Sequence, residues 1–128
     1  MIYLDTSAAL AHLLAEDRRP PDSMWSETIV SSRLLQYETW VRVHAKGLAD
    51  SHGDLVRELL GRVGFVELSP LVLARAVEPF PTRVRTLDAL HLASIEFLRA
   101  QGQRVRLVAY DDRLLEGARA LDIPIADV

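Results

Sequence analysis

Cysteine is absent from this chain, which removes both a disulfide framework and a thiolate zinc site and leaves nothing that calls for an oxidising compartment. Lysine is nearly absent too: Lys46 stands alone beside fourteen arginines. A phospho-receiver pocket, which sets a lysine at a strand end near its acids, is therefore disfavoured, because Lys46 falls in a stretch of helical pattern. No run approaches the ~18 apolar residues of a membrane span, and no basic segment precedes an apolar one at the start, MIYLDTSAAL. A cytoplasmic location with no membrane partner is the resulting expectation. Internal repeats and low-complexity tracts are lacking as well.

What is present fits one globular unit. With 128 residues and 49% hydrophobic content the chain can fill one core but not two, so a single domain over residues 1–128 is expected. The net charge of −3 argues against a broadly basic surface for nucleic acid. Its basic residues are almost all arginine, however, the side chain best shaped for bidentate phosphate contact; compositional bias in a GC-rich genome accounts for the same excess.

Strand and helix patterns alternate along the sequence. Ile2 to Leu4 reads as a short strand reaching Asp5, then Thr6 and Ser7 as capping residues for an apolar helix, Ala8 to Ala15. Glu16 to Ser23 reads as loop and Thr28 to Val30 as a second strand. Over Ser32 to Lys46, apolar residues at Leu34, Tyr37, Val41 and Ala45 mark an amphipathic helix ended by Gly47, with Glu38 beside the stripe. A helix is expected over Asp54 to Val63, a strand over Phe65 to Leu68 and a short helix over Leu71 to Val77. After the Pro79 and Pro81 loop, Thr86 is the expected cap of a long helix through Ala100, with Asp88 in its first turn. Val105 to Tyr110 is a strand leading to Asp111, Leu114 to Leu121 a helix, and Ile123 to Ile125 a last strand. The pattern is that of an α/β fold: a three-layer α/β/α arrangement around a parallel sheet of four to five strands.

Four acids stand out against apolar surroundings. Asp5 and Asp111 each follow a strand and precede a helix, the position where parallel sheets bind ligands, and would approach one another if their strands are neighbours. Glu38 and Asp88 lie within helices, where burying a carboxylate is costly unless a cation compensates. Mg²⁺, an oxygen-seeking ion, suits carboxylates gathered from several elements. Each acid also has a plainer use. Asp5 and Asp111 fit as helix caps, Asp88 complements a helix dipole, and Glu38 can pair with Arg42 four residues on. A haloacid-dehalogenase-like phosphatase would need a second aspartate two positions after Asp5, where Ser7 stands.

Other candidates are weaker. His91, one turn after Asp88, fits helix packing better than substrate contact, and His12, His44 and His52 share no metal-ligand spacing. Trp25 and Trp40 have the rings to stack on RNA bases, with packing the plainer role for Trp40. Thr6 or Ser7 can hold a metal-bound water or simply cap, and Arg83 and Arg85 are the arginines best placed for phosphate.

Taken together, the strings YLDTSAAL at 3–10, LQYETW at 35–40, TLDALHLAS at 86–94 and LVAYDDRLLEGARALDIPI at 107–125 resemble the PIN-domain family, and TLDALHLA looks most like the toxin nucleases usually called VapC. The likeness runs in order along essentially the whole chain. It implies a metal-dependent endoribonuclease, the toxin of a toxin–antitoxin pair, that cuts single-stranded or loop RNA, often in tRNA or other structured RNA, and leaves a 5′-phosphate. It implies that the family's four conserved acids fall on Asp5, Glu38, Asp88 and Asp111 as catalytic residues, with Asp5, Asp88 and Asp111 binding Mg²⁺, for which Mn²⁺ can substitute. It also implies a cognate antitoxin over the active cleft and a homodimer built from helices, for which apolar residues around Trp25 and Leu34 are the candidates. The family often has Ser or Thr two residues before its fourth acid; Ala109 stands there, and Asp112 follows directly, so Asp111 and Asp112 compete for that place. A PIN-like module that binds RNA or protein without cutting is the alternative, disfavoured because a pure scaffold gains nothing from clustered like charges.

Overall fold

In the computed structural model, which describes residues 1–128, four strands form one parallel sheet. They are β1 (Ile2–Leu4), β2 (Ile29–Ser32), β3 (Val63–Val66) and β4 (Arg106–Val108), in the spatial order β3-β2-β1-β4. β1 is thus flanked by β2, with Tyr3 opposite Val30, and by β4, with Tyr3 opposite Leu107. Six helices are threaded between and after the strands: α1 (Thr6–Leu13), α2 (Leu34–Ala45), α3 (Ala49–Gly61), α4 (Pro70–Ala76), α5 (Thr86–Ala100) and α6 (Asp112–Ala120).

The side-chain alternation of β1 divides the interior in two. Ile2 and Leu4 point into one core, built with Ala8 and Ala9 of α1, Leu35 and Val43 of α2, and Val56 and Leu59 of α3. Tyr3 points into the other, with Leu92 and Ile95 of α5 and Leu114 and Ala118 of α6. All three β1 residues are buried, as expected of a strand covered on both faces, and the result is the three-layer α/β/α arrangement expected from the sequence.

Several boundaries differ from the sequence reading. The helix expected from Ala8 to Ala15 begins at Thr6 and stops at Leu13, because Asp5 takes the capping position and Ala15 turns to a positive φ of 49°. The loop that follows contains a 3₁₀ turn, Asp22–Ser26. α3 begins at Ala49 rather than Asp54; Asp50 complements the dipole in its first turn, and Gly53 is accommodated where the Trp40 ring comes close. β3 begins at Val63 rather than Phe65, because its register sets Val63 opposite Ile29 and Val66 opposite Ser32. The expected strand Ile123 to Ile125 reduces to a single bridge from Ile125 to Leu107. Pro124 accepts from the Leu107 N–H through its carbonyl but has no N–H of its own to extend a ladder.

The buried face of α2 also differs. Leu34, Leu35, Thr39 and Val43 face inward, while Tyr37 and Val41 are 62% and 45% exposed. Leu34 therefore belongs to the interior, and the apolar side chains left open to solvent are Tyr37, Val41, Leu55, Leu71, Leu73, Val77 and Leu87.

Candidate active site

At the carboxyl end of β1 and β4, where the chain departs in opposite directions across the sheet, lies a cleft of about 470 Å³ lined by Asp5, Glu38, Asp88 and Asp111 together with Thr6, Ser7, Arg42, Arg85 and Thr86. The four acids come from four different elements. Their meeting in one cleft is the arrangement expected from the sequence.

Each acid is set by local structure. Asp5 ends β1 and caps α1, accepting from the Ser7 backbone N–H at 3.1 Å and from the Ser7 hydroxyl at 2.6 Å. That hydroxyl also accepts from the Tyr110 N–H at 2.9 Å, so one serine ties the exit of β1 to the exit of β4. Asp111 caps α6 through the N–H groups of Arg113 and Leu114. Capping and lining the cleft are compatible for both residues, since each carboxylate has two oxygens to share. Glu38 projects from α2 and accepts from the Thr6 hydroxyl at 2.9 Å. On α5, Arg85, Asp88 and His91 recur every three residues, and all three side chains turn toward the acids.

His91 is the residue beside the acids whose contacts the sequence least suggests. It is buried, its Nε2 lies 2.7 Å from Glu38 Oε1 and 3.7 Å from Asp5 Oδ1, and its Nδ1 lies 2.7 Å from the Tyr3 hydroxyl. The Tyr3 oxygen accepts in turn from the Ser32 N–H at 3.1 Å. Tyr3 O–H donating to Nδ1 and Nε2–H donating to Glu38 satisfies every group in this chain. Burial pulls the imidazole toward its neutral form, but the hydrogen bond to Glu38 and the charges of Asp5, Glu38 and Asp88 outweigh it and raise its pKa. Tyr3 is held firmly protonated by burial and by the charge of Asp5. The only signal in the sequence was the spacing of His91 one turn after Asp88; its partners lie too far along the chain to be read.

Electrostatics separate the acids. Asp5 is only 5% exposed, and desolvation drives its pKa up despite opposing contributions from His91 and Ser7. Burial also acts to raise Asp111, yet Arg85 and the N–H groups of Leu114 and Arg113 prevail and lower it. Arg85 bridges two of the acids, donating from Nε to Asp88 Oδ2 at 2.7 Å and from Nη2 to Asp111 Oδ2.

The remaining candidates fall on both sides. Arg42 lines the cleft without pairing to Glu38, contrary to the pairing weighed from their spacing. Arg83 and Asp112 are exposed and lie outside the cleft, so of the two adjacent aspartates it is Asp111 that faces the other acids. Trp40 packs against the core as expected, Trp25 is half-buried and stacks against His12, and neither borders the cleft.

A hard divalent cation fits the chemistry of this donor set, which is oxygen-only and carries four carboxylates around one cleft. As arranged, no three acidic or histidine side chains stand at mutual ligating distance. Arg85 instead supplies the positive partner of Asp88 and Asp111, and His91 is the hydrogen-bond partner of Glu38.

The PIN domain family matches residues 2–120. The chain belongs to the PIN-domain family. Among curated relatives, Ribonuclease VapC47 of Mycobacterium tuberculosis is 31% identical over 93% of this chain and 90% of its own length. Ribonuclease VapC46 and Ribonuclease VapC35 of the same species are 31% and 27% identical, covering 97% and 98% of this chain. These PIN relatives correspond to nearly the whole chain, so the alignment takes in all four elements that carry the cleft acids.

Proposed function

We propose that residues 1–128 act as one divalent-metal-dependent endoribonuclease unit, the toxin of a toxin–antitoxin pair, whose catalytic residues are Asp5, Glu38, Asp88 and Asp111. The observation that carries this reading is the convergence of four carboxylates from four elements in one cleft, in a chain of the PIN family with relatives named as VapC ribonucleases. Asp5 and Asp88, with Asp111, would hold Mg²⁺ or Mn²⁺, which when bound supplies charge neutralisation for the phosphodiester and activation of water.

The protein's own groups do the rest. Glu38 receives both the Thr6 hydroxyl and His91 Nε2 on Oε1, which leaves Oε2 to orient the attacking water and take its proton. His91 positions Glu38 through the chain that begins at Tyr3. Thr6 thus serves Glu38, and Ser7 locks Asp5 to the β4 exit. Arg42 and Arg85 border the cleft where a phosphate must enter, and their forked donors suit it. The substrate is single-stranded or loop RNA, in tRNA or another structured RNA, in the cytoplasm. A cognate antitoxin covers the cleft, and the exposed apolar side chains of α2 and α4 provide surface for self-association into a dimer.

The test is cleavage of RNA by purified protein in Mg²⁺. Asp5→Asn keeps the shape of the side chain and its capping role, and is expected to slow cleavage by at least ~100-fold through loss of the metal-binding charge. Cleavage at the parent rate, or cleavage that persists in EDTA, would overturn the reading.

A further inference from the structure

Arg85 occupies an unusual place for a residue expected to meet phosphate. Its guanidinium is bonded to Asp88 and to Asp111 at once, through different nitrogens, and so engages one oxygen of each of two cleft acids. The planar fork of arginine can span two carboxylates in this way, whereas a lysine ammonium is a single point. Donating to the Asp88 and Asp111 carboxylates keeps Arg85 firmly charged. Its side chain is nonetheless 48% exposed and makes no capping bond to the start of α5, so its two carboxylate partners are what hold it over the cleft.

Two further observations bear on what this contact does. The acids lie in one cleft yet no three of them stand at ligating distance, and Arg85 holds two of the four. Arg42 carries the same charge into the same cleft but forms no ion pair there. The distinction between these arginines is contact, not charge.

We infer that Arg85 is a resident counterion of the acidic cleft, which a divalent cation must displace from Asp88 and Asp111 in order to bind. This rests on the metal-dependent reading above and adds its regulation: the contact sets the concentration of divalent ion at which the cleft becomes charged with metal, and releases the arginine fork toward RNA phosphate only when metal has entered. A cleft without such a counterion would bind metal more tightly but would have to bury neighbouring negative charges unaided.

Calorimetric titration of Mn²⁺ into the full chain tests this without reference to cleavage. Arg85→Gln is expected to bind Mn²⁺ about 5–10-fold more tightly than the parent, a modest gain because the pair is partly solvated. Arg42→Gln, which removes the same charge without breaking an ion pair, is expected to change the affinity by less than about 2-fold. Arg85→Lys, which keeps the charge but spans only one carboxylate, should fall between parent and glutamine. Equal gains in Arg85→Gln and Arg42→Gln would show a general field effect and overturn the inference, as would unchanged or weaker binding in Arg85→Gln. Asp5→Asn separates this from the underlying reading. If that variant abolishes Mn²⁺ binding while Arg85→Gln leaves it unaltered, the counterion role alone fails; if Mn²⁺ binding survives Asp5→Asn unchanged, the metal site and the counterion role fail together.

Discussion

At the scale of single residues, the cleft is organised by what burial does to charge. Asp5 is almost wholly enclosed, and its raised pKa means that the folded protein holds a proton on it more readily than the unfolded chain does. The associated stability is fully present below the ordinary aspartate range and is lost as pH rises through the elevated value, so at neutral pH the ionised carboxylate weighs against folding. Asp5→Asn retains an acceptor for Ser7 and removes that charge. It is therefore expected to melt about 3 °C or more above the parent at pH 7, with the gap closing toward pH 4, as followed by thermal denaturation across pH. A lower melting temperature at pH 7 would show that hydrogen bonding from Ser7 and the proximity of His91 outweigh desolvation. The acids themselves were legible in the sequence because carboxylates are conspicuous after a strand or inside an apolar helix. His91 was not, because its meaning comes from Tyr3 and Glu38, and a histidine on a packed helix face looks the same with or without such partners.

At the scale of elements, α5 shows how much of the fold a sequence can display: its end at Ala100 matches the expected one, and its start misses by a single position, since Arg85 takes the N-cap place expected of Thr86. α2 shows where the pattern is ambiguous. Leu34, Tyr37 and Val41 form one apolar stripe, Leu35, Thr39 and Val43 another, and periodicity cannot choose between them because the choice depends on β1 and α3 packing alongside. A buried threonine hid the true inner face. α6 meets α5 through Gly117, where an added Cβ would come within 3.0 Å of Leu92 Cδ1 and 3.2 Å of Val84 Cγ1. Leu92 is fully buried and has no room to retreat. Gly117→Val is expected to cost about 1–3 kcal/mol, measured by urea denaturation, as the two helices are forced apart. Since Asp111 caps α6, the same variant also disturbs one corner of the cleft.

At the scale of the whole molecule, the strand order was not legible. Four short strands were visible as apolar runs, but only the structure shows β1 flanked by β2 and β4, and only that order brings Asp5 beside Asp111. The proposed metal then links distant parts of the chain, since Asp5, Asp88 and Asp111 belong to three elements. A ligand bound only by the folded state stabilises it by mass action, by about 2–3 kcal/mol at a hundredfold excess over Kd. Adding Mn²⁺ is accordingly expected to raise the melting temperature of the parent by several degrees, EDTA to reverse the rise, and Asp5→Asn to show no rise at all.

The position of β1 between β2 and β4 has a consequence for how the protein is born. Asp5 is translated long before Asp111, yet β1 waits for β4 as its neighbour, and the Ser7 clamp has nothing to grip until Tyr110 arrives. On the proposed reading of the cleft, a nascent chain carries its first acid without its partners, and an RNA-cutting centre is assembled only once synthesis has passed Asp111.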